Sequence, residues 1–305
     1  MEKFDAIVVG GGPAGSTAAT DLAKEGHRVL LLDRAGRIKP CGGAIPPILI
    51  QEFEISEHLL KARIQSARIV SPKDRLADMP IDGGFVGMVD RETFDEWLRE
   101  RAAEFGAVRR TGTFDHITRE ADGTVLVTFK KRLDDGFEVT ETARTRLVIG
   151  ADGAASSVAR QALPTEEAPP FVFAYHEIIR SPKALNNDTF DGQRCDVYYK
   201  GSLSPDFYAW IFPHGETTSV GTGSAHKGFS LRSAVADLRE ITGLNATETV
   251  RKEGAPIPLR PRKRWDNGQD VIVAGDAAGV VAPASGEGIY YAMLSGRLVA
   301  EAVSE

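Results

Sequence analysis

Residues 4–33 read FDAIVVGGGPAGSTAATDLAKEGHRVLLLD, and this stretch decides the fold. Phe4 to Gly10 is a short apolar run rich in β-branched side chains and closed by glycine, the pattern of a parallel strand buried on both faces. Pro13 to Glu25 has helical spacing with small residues on its early turns, and Gly26 suits the helix C-terminus. Val29 to Asp33 is a second apolar run. Strand, helix and strand in this order make a βαβ unit, which implies a parallel sheet with a right-handed crossover.

The chain continues well beyond that unit. At 305 residues it exceeds the size at which one hydrophobic core stops growing, so two packed units are expected. Hydrophobic residues make up 42% and charged residues 26%, which argues against long disorder. The net charge of −6 is spread along the chain and gives no reason to expect nucleic-acid binding. Cys41 and Cys195 are the two cysteines, and neither sits in a CxxC or a Cys/His cluster. That spacing suits neither a disulfide framework nor a metal site, and a reducing cytoplasm is the natural compartment. No apolar run is long enough to cross a bilayer, and the start is a poor secretory signal; attachment to a membrane surface stays open.

Arg91 to Phe105 reads as a charged amphipathic helix. Strand-like runs follow at Gly123 to Lys130 and Phe137 to Thr142, joined through the turn Asp134-Asp135-Gly136. Leu147 to Ile149 is a further buried strand, ending in Gly150-Ala151-Asp152-Gly153. From Phe171 to Gly223 aromatic and polar residues alternate without helical period, as in a half-exposed antiparallel sheet. Ser230 to Thr242 reads as a helix, Asp270 to Ala274 as a buried strand, and another helix starts at about Gly286. The fold class expected is α/β: a Rossmann-like domain interrupted by an antiparallel β-sheet domain and completed by the C-terminal stretch.

Gly10-Gly11-Gly12-Pro13-Ala14-Gly15 satisfies GxGxxG between a strand and a helix. Gly10 makes the tight turn, Gly12 lets the backbone approach a pyrophosphate, and Gly15 allows close helix–strand packing. The phosphates would rest on the exposed amides and positive dipole of the helix. Asp33 ends the second strand, where a carboxylate accepts hydrogen bonds from ribose hydroxyls. This motif does not separate FAD from NAD. The C-terminal stretch favours FAD: Gly275-Asp276 ends a strand, where an acid can bind a polyol such as the ribityl chain. Ser285-Gly286-Glu287-Gly288 then opens a helix whose amides could face an anionic flavin ring. A helix N-cap is the plain alternative for Asp276.

These two flavin motifs, with Gly150-Ala151-Asp152-Gly153 between them, resemble the flavoproteins that include aromatic hydroxylases and geranylgeranyl reductases. Three segments narrow the match: KPCGGAIP at 39–46, SPDFYAWIFP at 204–213, and ASGEGIY at 284–290. They resemble the geranylgeranyl reductases of chlorophyll and bacteriochlorophyll synthesis, including the PxxYxWxFP signature. The resemblance runs from about residue 4 to 303 and implies that the family's further C-terminal segment is absent, so that this chain reads as a piece of a longer protein.

What the resemblance implies is reduction of isolated double bonds in a geranylgeranyl chain, on the pigment ester or the free diphosphate, to the phytyl form. FAD carries the electrons, supplied by NADPH or ferredoxin, in the cytoplasm and at the face of the photosynthetic membrane. The implied domains are an FAD-binding domain of 1–75, 91–160 and 265–305, and a prenyl domain of 76–90 and 161–264, its sheet lying over the flavin. A flavin-dependent hydroxylase on the same scaffold and a non-catalytic prenyl carrier are the rival readings.

The resemblance places Cys41 near the flavin, where it would position the alkene or donate a proton; a buried structural thiol is the bland alternative. Tyr208 and Trp210 would line the prenyl cavity as catalytic residues, against ordinary aromatic core. The cofactor contacts implied are Gly10, Gly12, Pro13, Ala14, Gly15, Asp33, Arg34, Cys41, Gly42, Gly43, Arg91, Asp152, Gly275, Asp276, Gly286 and Gly288. The run Arg260-Pro261-Arg262-Lys263-Arg264 could receive a phosphate or an acidic ferredoxin, although basic runs are usually just solvated. His214, Glu287, His226 and Cys195 are equivalent candidates for a proton path on sequence grounds.

Overall fold

The computed structural model describes residues 1–34, 38–133, 135–182 and 189–305, so Asp134 of the expected turn lies outside the described residues. The chain forms two compact units. The first comprises Met1–Ile38, Asp95–Pro170 and Pro258–Glu305; the second comprises Lys39–Phe94 and Phe171–Ile257.

In chain order the strands are β1 (Ala6–Val9), β2 (Val29–Asp33), β3 (Ala44–Ile45), β4 (Leu60–Ile64), β5 (Ser66–Val70), β6 (Leu76–Pro80), β7 (Val86–Val89), β8 (Val108–Thr111) and β9 (Thr113–Arg119). They continue with β10 (Val125–Arg132), β11 (Glu138–Thr145), β12 (Leu147–Gly150), β13 (Phe171–Arg180), β14 (Arg194–Tyr198), β15 (Ala209–His214), β16 (Thr217–Ser224), β17 (Thr249–Pro258) and β18 (Val271–Val273). The helices are α1 (Pro13–Lys24), α2 (Pro47–Glu52), α3 (Arg91–Glu104), α4 (Ser157–Ala162), α5 (Leu231–Ile241) and α6 (Ile289–Ser304).

The first unit is built on a five-stranded sheet of order β18-β12-β1-β2-β8 whose pairings are all parallel. Alternation along β1 explains why its run is apolar throughout. Ala6 and Val8 pack with Leu31 and Ile149 against Ala18 and Leu22 of α1 and Val299 of α6. Ile7 and Val9 pack on the other face with Val125, Val127 and Phe129 of the β11-β10-β9 sheet. Both faces of β1 are covered, so each of its four positions is apolar and buried. α1 ends where Gly26, at φ +87°, turns the chain out of the helix.

In the second unit a seven-stranded sheet runs β17-β13-β16-β15-β14-β5-β6, beside a small β3-β7-β4 sheet. One face of the large sheet carries Tyr175, Ile179, Ala209, Ile211 and Val220 against Val235 and Leu238 of α5. Residues 39–75 therefore fall in this second unit, whereas the sequence reading joined them to the FAD-binding domain. The reason is the non-local parallel pairing of β5 with β14, in which Ile69 lies opposite Val197. Residues 91–94, expected in the FAD-binding domain, also fall in the second unit, while 161–170 and 258–264 fall in the first unit instead of the second.

Candidate functional site

The nucleotide-type elements meet in the first unit. Gly10 adopts φ +107°, and a Cβ there would run into the Ala151 carbonyl; a Cβ on Gly15 would run into the Gly10 carbonyl. Both glycines are dictated by backbone packing. Gly12 differs. Its backbone, φ −79° and ψ −175°, suits any L-residue, and nothing lies within 4 Å of the position its Cβ would take. The protein itself does not require glycine here, whereas a pyrophosphate lying against the turn would. Pro13 opens α1, no side chain caps the helix, and no acid stands in its first turn, so Ala14 and Gly15 offer amides to an anion.

Asp33 Oδ2 accepts a hydrogen bond from Gly11 N at 2.6 Å, while Oδ1 stands 3.9 Å from Arg99 Nη1. Burial pushes the Asp33 carboxyl up, against the opposing pull of the Gly11 amide and the Arg99 guanidinium. One of its oxygens is thus spent on shaping the glycine turn. Arg34 is exposed beside it. Arg99 also donates from Nη1 to Gly11 O at 3.1 Å. Nothing in the sequence marked Arg99, which enters from α3 far along the chain.

The C-terminal motif reaches the same place through helix packing. A Cβ on Gly296 of α6 would collide with Ala14 O, and one on Gly275 would lie 2.8 Å from the Ala14 Cβ. Gly275 N donates to Ser295 Oγ at 2.9 Å. Asp276 follows, 8% exposed, and the Gly288 Cβ position lies 3.8 Å from its Oδ1. Asp276 does not cap α6, because Gly288 holds the N-cap position. Gly286, at φ +68°, shapes the loop before it. The amides expected to be free at the start of α6 are partly taken: Glu287 Oε1 accepts from Tyr290 N at 2.8 Å. Burial pushes the Glu287 carboxyl up, with the Tyr290 and Ile289 amides pulling the other way.

Asp152 is placed differently from a free cofactor ligand. Ser156 caps α4 by accepting from Ala159 N at 2.8 Å, and the Asp152 carboxylate accepts from Ser156 Oγ at 2.5 Å and from the Ser157 and Val158 amides at 2.6 and 3.2 Å. The basic run is not simply solvated either. Arg262 is buried, donating from Nε to Ala277 O at 2.8 Å and from Nη1 to Glu167 O at 3.2 Å.

The remaining candidates gather in the second unit. Tyr208, just ahead of β15, and Trp210, Phe212 and His214 along it follow with period two, with ring centroids 5.9 Å apart for Tyr208–Trp210 and 6.1 Å for Trp210–Phe212. The Cys41–Gly43 segment packs on this row. A Cβ on Gly42 would lie 3.2 Å from the Phe212 ring, and one on Gly43 would lie 2.6 Å from His214 Nε2. Gly43 N donates to Cys41 Sγ at 3.3 Å. Burial pushes the Tyr208 hydroxyl far up, as do its neighbours Tyr199 and Cys41, so it stays protonated. Burial holds the His214 imidazole down at about 4. Cys195 is buried with its thiol pushed up, a structural position beside Ile64 and Met88. Arg91, 5% exposed, opens α3 after β7. His226 enters none of these clusters.

The register continues the aromatic row as an apolar line: Trp210 opposite Val197, Val197 opposite Ile69, and Ile69 opposite Ala77. Val197 and Ile69 are half-buried and Ala77 is exposed. Among the described residues no cluster of His, Cys, Asp and Glu could hold a metal, and no helix is long and apolar enough to cross a membrane.

Residues 56–301 match the FAD binding domain family, and residues 8–50 match an NAD(P)-binding Rossmann-like domain. The chain is 59% identical over 300 residues to a geranylgeranyl diphosphate reductase of Rhodobacter capsulatus, covering 98% of this chain and 75% of that protein. The chain belongs to the geranylgeranyl reductase family. A chloroplastic geranylgeranyl diphosphate reductase of Arabidopsis thaliana is 36% identical, over 99% of this chain and 66% of its own length. Among solved structures, a geranylgeranyl bacteriochlorophyll reductase-like protein of Thermoplasma acidophilum superposes with a TM-score of 0.85 at 25% identity, covering 99% of this chain and 78% of that one. The glycine turn and Asp33 lie within the residues matched to the NAD(P)-binding Rossmann-like domain, and Gly275 to Gly288 within those matched to the FAD binding domain family. The chain spans about two thirds to three quarters of the length of these relatives.

Proposed function

We propose that this chain is an FAD-dependent reductase that saturates the isolated double bonds of a geranylgeranyl group, as the diphosphate or the pigment ester, to the phytyl form. The observation that carries the reading is the β15 row: Tyr208, Trp210 and Phe212 in file, with Cys41–Gly43 laid against it without side-chain bulk at Gly42 and Gly43. An isolated alkene has no polar handle, so it must be held by shape and apolar contact. The Trp210–Val197–Ile69–Ala77 line offers such contact to the isoprene units beyond the reacting one.

FAD, when bound and reduced, supplies hydride to one carbon of the alkene. Gly12, Ala14 and Gly15 would hold its pyrophosphate, Asp33 its ribose, and Asp276 with the Gly286–Gly288 loop its ribityl and ring region. Arg91, Gly42 and Gly43 are further candidate contacts. NADPH, or a ferredoxin, is the proposed electron donor. Cys41 is proposed to place the alkene or to give the proton to its second carbon. Burial keeps the Tyr208 hydroxyl protonated, and its ring is proposed as part of the wall. Contact with the face of a photosynthetic membrane is proposed because the substrate is a lipid.

Anaerobic incubation of the reduced protein with geranylgeranyl diphosphate, followed by mass analysis, tests the reading. Products heavier by two hydrogens per reduced bond are expected. Oxygen consumption with a hydroxylated product would replace it with a monooxygenase reading, and a prenyl chain bound but unchanged would leave a carrier. Cys41→Ala should lower turnover with FAD still bound; unchanged kinetics would remove Cys41 from the chemistry.

A further inference from the structure

Behind the aromatic row, the same face of the large sheet carries a buried polar line. Trp210, Gly221 and His176 stand in register across β15, β16 and β13. A Cβ on Gly221 would lie 2.5 Å from Trp210 Cε2 and 2.6 Å from His176 Cβ, so both side chains lean over the glycine from either side. Trp210 Nε1 donates to Ser219 Oγ at 3.0 Å, and Ser219 Oγ lies 2.8 Å from His176 Nδ1. His176 Nε2 stands 3.3 Å from Glu253 Oε1, at ion-pair distance but without hydrogen-bond alignment. Arg251 Nε donates to that same oxygen at 2.8 Å. Burial pushes the Glu253 carboxyl up, but His176 and Arg251 outweigh it and hold it below its ordinary value.

We propose that Ser219 and His176 are positioning residues that fix the orientation of the Trp210 indole, with Glu253 and Arg251 anchoring the imidazole from behind. The proposal rests on the reading of Trp210 as a wall of the prenyl site. An indole is a donor only and needs a single acceptor, which any nearby hydroxyl satisfies. Burying a serine and an imidazole, with a carboxylate and a half-buried guanidinium behind them, costs more desolvation than one N–H bond returns. Apolar filling of the same space would stabilise the unit more. What the line adds is direction. Ser219 accepts from Trp210 and pairs with His176 Nδ1, and Nε2 of the imidazole faces, at 3.3 Å, a carboxylate that His176 and Arg251 hold below its ordinary value. The ring therefore has one favoured tilt, and an alkene resting on it has one height.

Heteronuclear NMR of the indole N–H groups tests this without reference to activity. The protein has three tryptophans, Trp97, Trp210 and Trp265, and the Trp210 resonance is identified by its loss in Trp210→Phe. Ser219→Ala should move that resonance and speed its exchange with solvent, and His176→Leu should do the same. His176→Asn, which keeps an acceptor at the Nδ1 position, should restore most of the native shift. In turnover with geranylgeranyl diphosphate, Ser219→Ala and His176→Leu should each lower kcat about tenfold with KM and bound FAD little changed, the loss of about one hydrogen bond. In a Trp210→Phe background neither substitution should cost anything further. An unmoved Trp210 resonance, or a kcat loss that persists without Trp210, would overturn the proposal. A protein that reduces no prenyl substrate while its indole resonance shifts as expected would instead sink the proposed function and leave the indole line standing.

Discussion

Asp33 reaches back from the end of β2 to hold Gly11 N at 2.6 Å, so the residue that would bind the adenosine ribose also sets the shape of the phosphate turn. In the proposed cofactor site, one carboxylate would couple two parts. Asp33→Ala should therefore weaken FAD binding by more than the loss of a ribose contact, by at least tenfold. Because burial pushes the Asp33 carboxyl up, it takes a proton at higher pH than an exposed aspartate. Its acceptor role needs the ionised form, so FAD affinity should fall as the pH is lowered. Fluorescence titration of FAD at several pH values checks both; an Asp33→Ala affinity equal to wild type would contradict the coupling.

Gly12 and Gly15 should separate cleanly. Gly12→Ala places a methyl in space the protein leaves open, at a backbone conformation alanine accepts. It should fold with stability within about 0.5 kcal/mol of wild type and lose FAD. Gly15→Ala drives the same methyl into the Gly10 carbonyl and should destabilise the first unit by about 2–4 kcal/mol before any cofactor is considered. Urea unfolding of the cofactor-free variants distinguishes the two.

His214 gives the stability a pH slope of known sign. Unfolded, its imidazole takes a proton below about 6.5; folded, burial lowers that to about 4. Between these values the unfolded chain binds more protons, so stability rises with pH and is lost on acidification. The His214 share is at most about 3 kcal/mol across that window. Unfolding free energies of wild type and His214→Gln at pH 4.5 and 7 should differ in slope by a part of this. Parallel slopes would show that the ring titrates freely.

Arg262 should behave as a structural residue. It donates to the carbonyls of Ala277 and Glu167, and Arg262→Ala leaves both short of a partner. A loss of about 2–3 kcal/mol in stability is expected, with NADPH affinity at the folded protein unchanged. Arg260→Ala, at an exposed position, should cost little stability.

The parts legible in the sequence are those where one local pattern decides. β1, α1 and β2 followed from an apolar run, a glycine turn and a second run, and α5 lies within the expected helix Ser230 to Thr242; the structure adds its cap, the Ser230 hydroxyl accepting from Ser233 N. The β15 row was legible because period two shows in Phe207 to Pro213 itself. Pairing between distant segments was not: nothing in residues 66–70 says that they join β14 in parallel more than a hundred residues on. The Trp210–Ser219–His176–Glu253 line was hidden for the same reason, since four strands supply its members singly. Asp152 has local partners that its motif did not announce. Ser156, ahead of the helix, carried the signal of its cap, and the Asp152 carboxylate accepts from that serine and from the Ser157 amide. Arg262 looked like its charged neighbours, and burial alone sets it apart.

The central claim is that residues 10–15 and 275–288, far apart in the chain, hold one FAD. Calorimetric titration of the purified, cofactor-stripped protein with FAD, followed by its visible spectrum, tests it most directly. One FAD per chain, with the bound flavin's absorbance shifted from free FAD and binding abolished by Gly12→Val, is expected. A protein that takes up no flavin, or takes it up equally with Gly12→Val, would contradict the account.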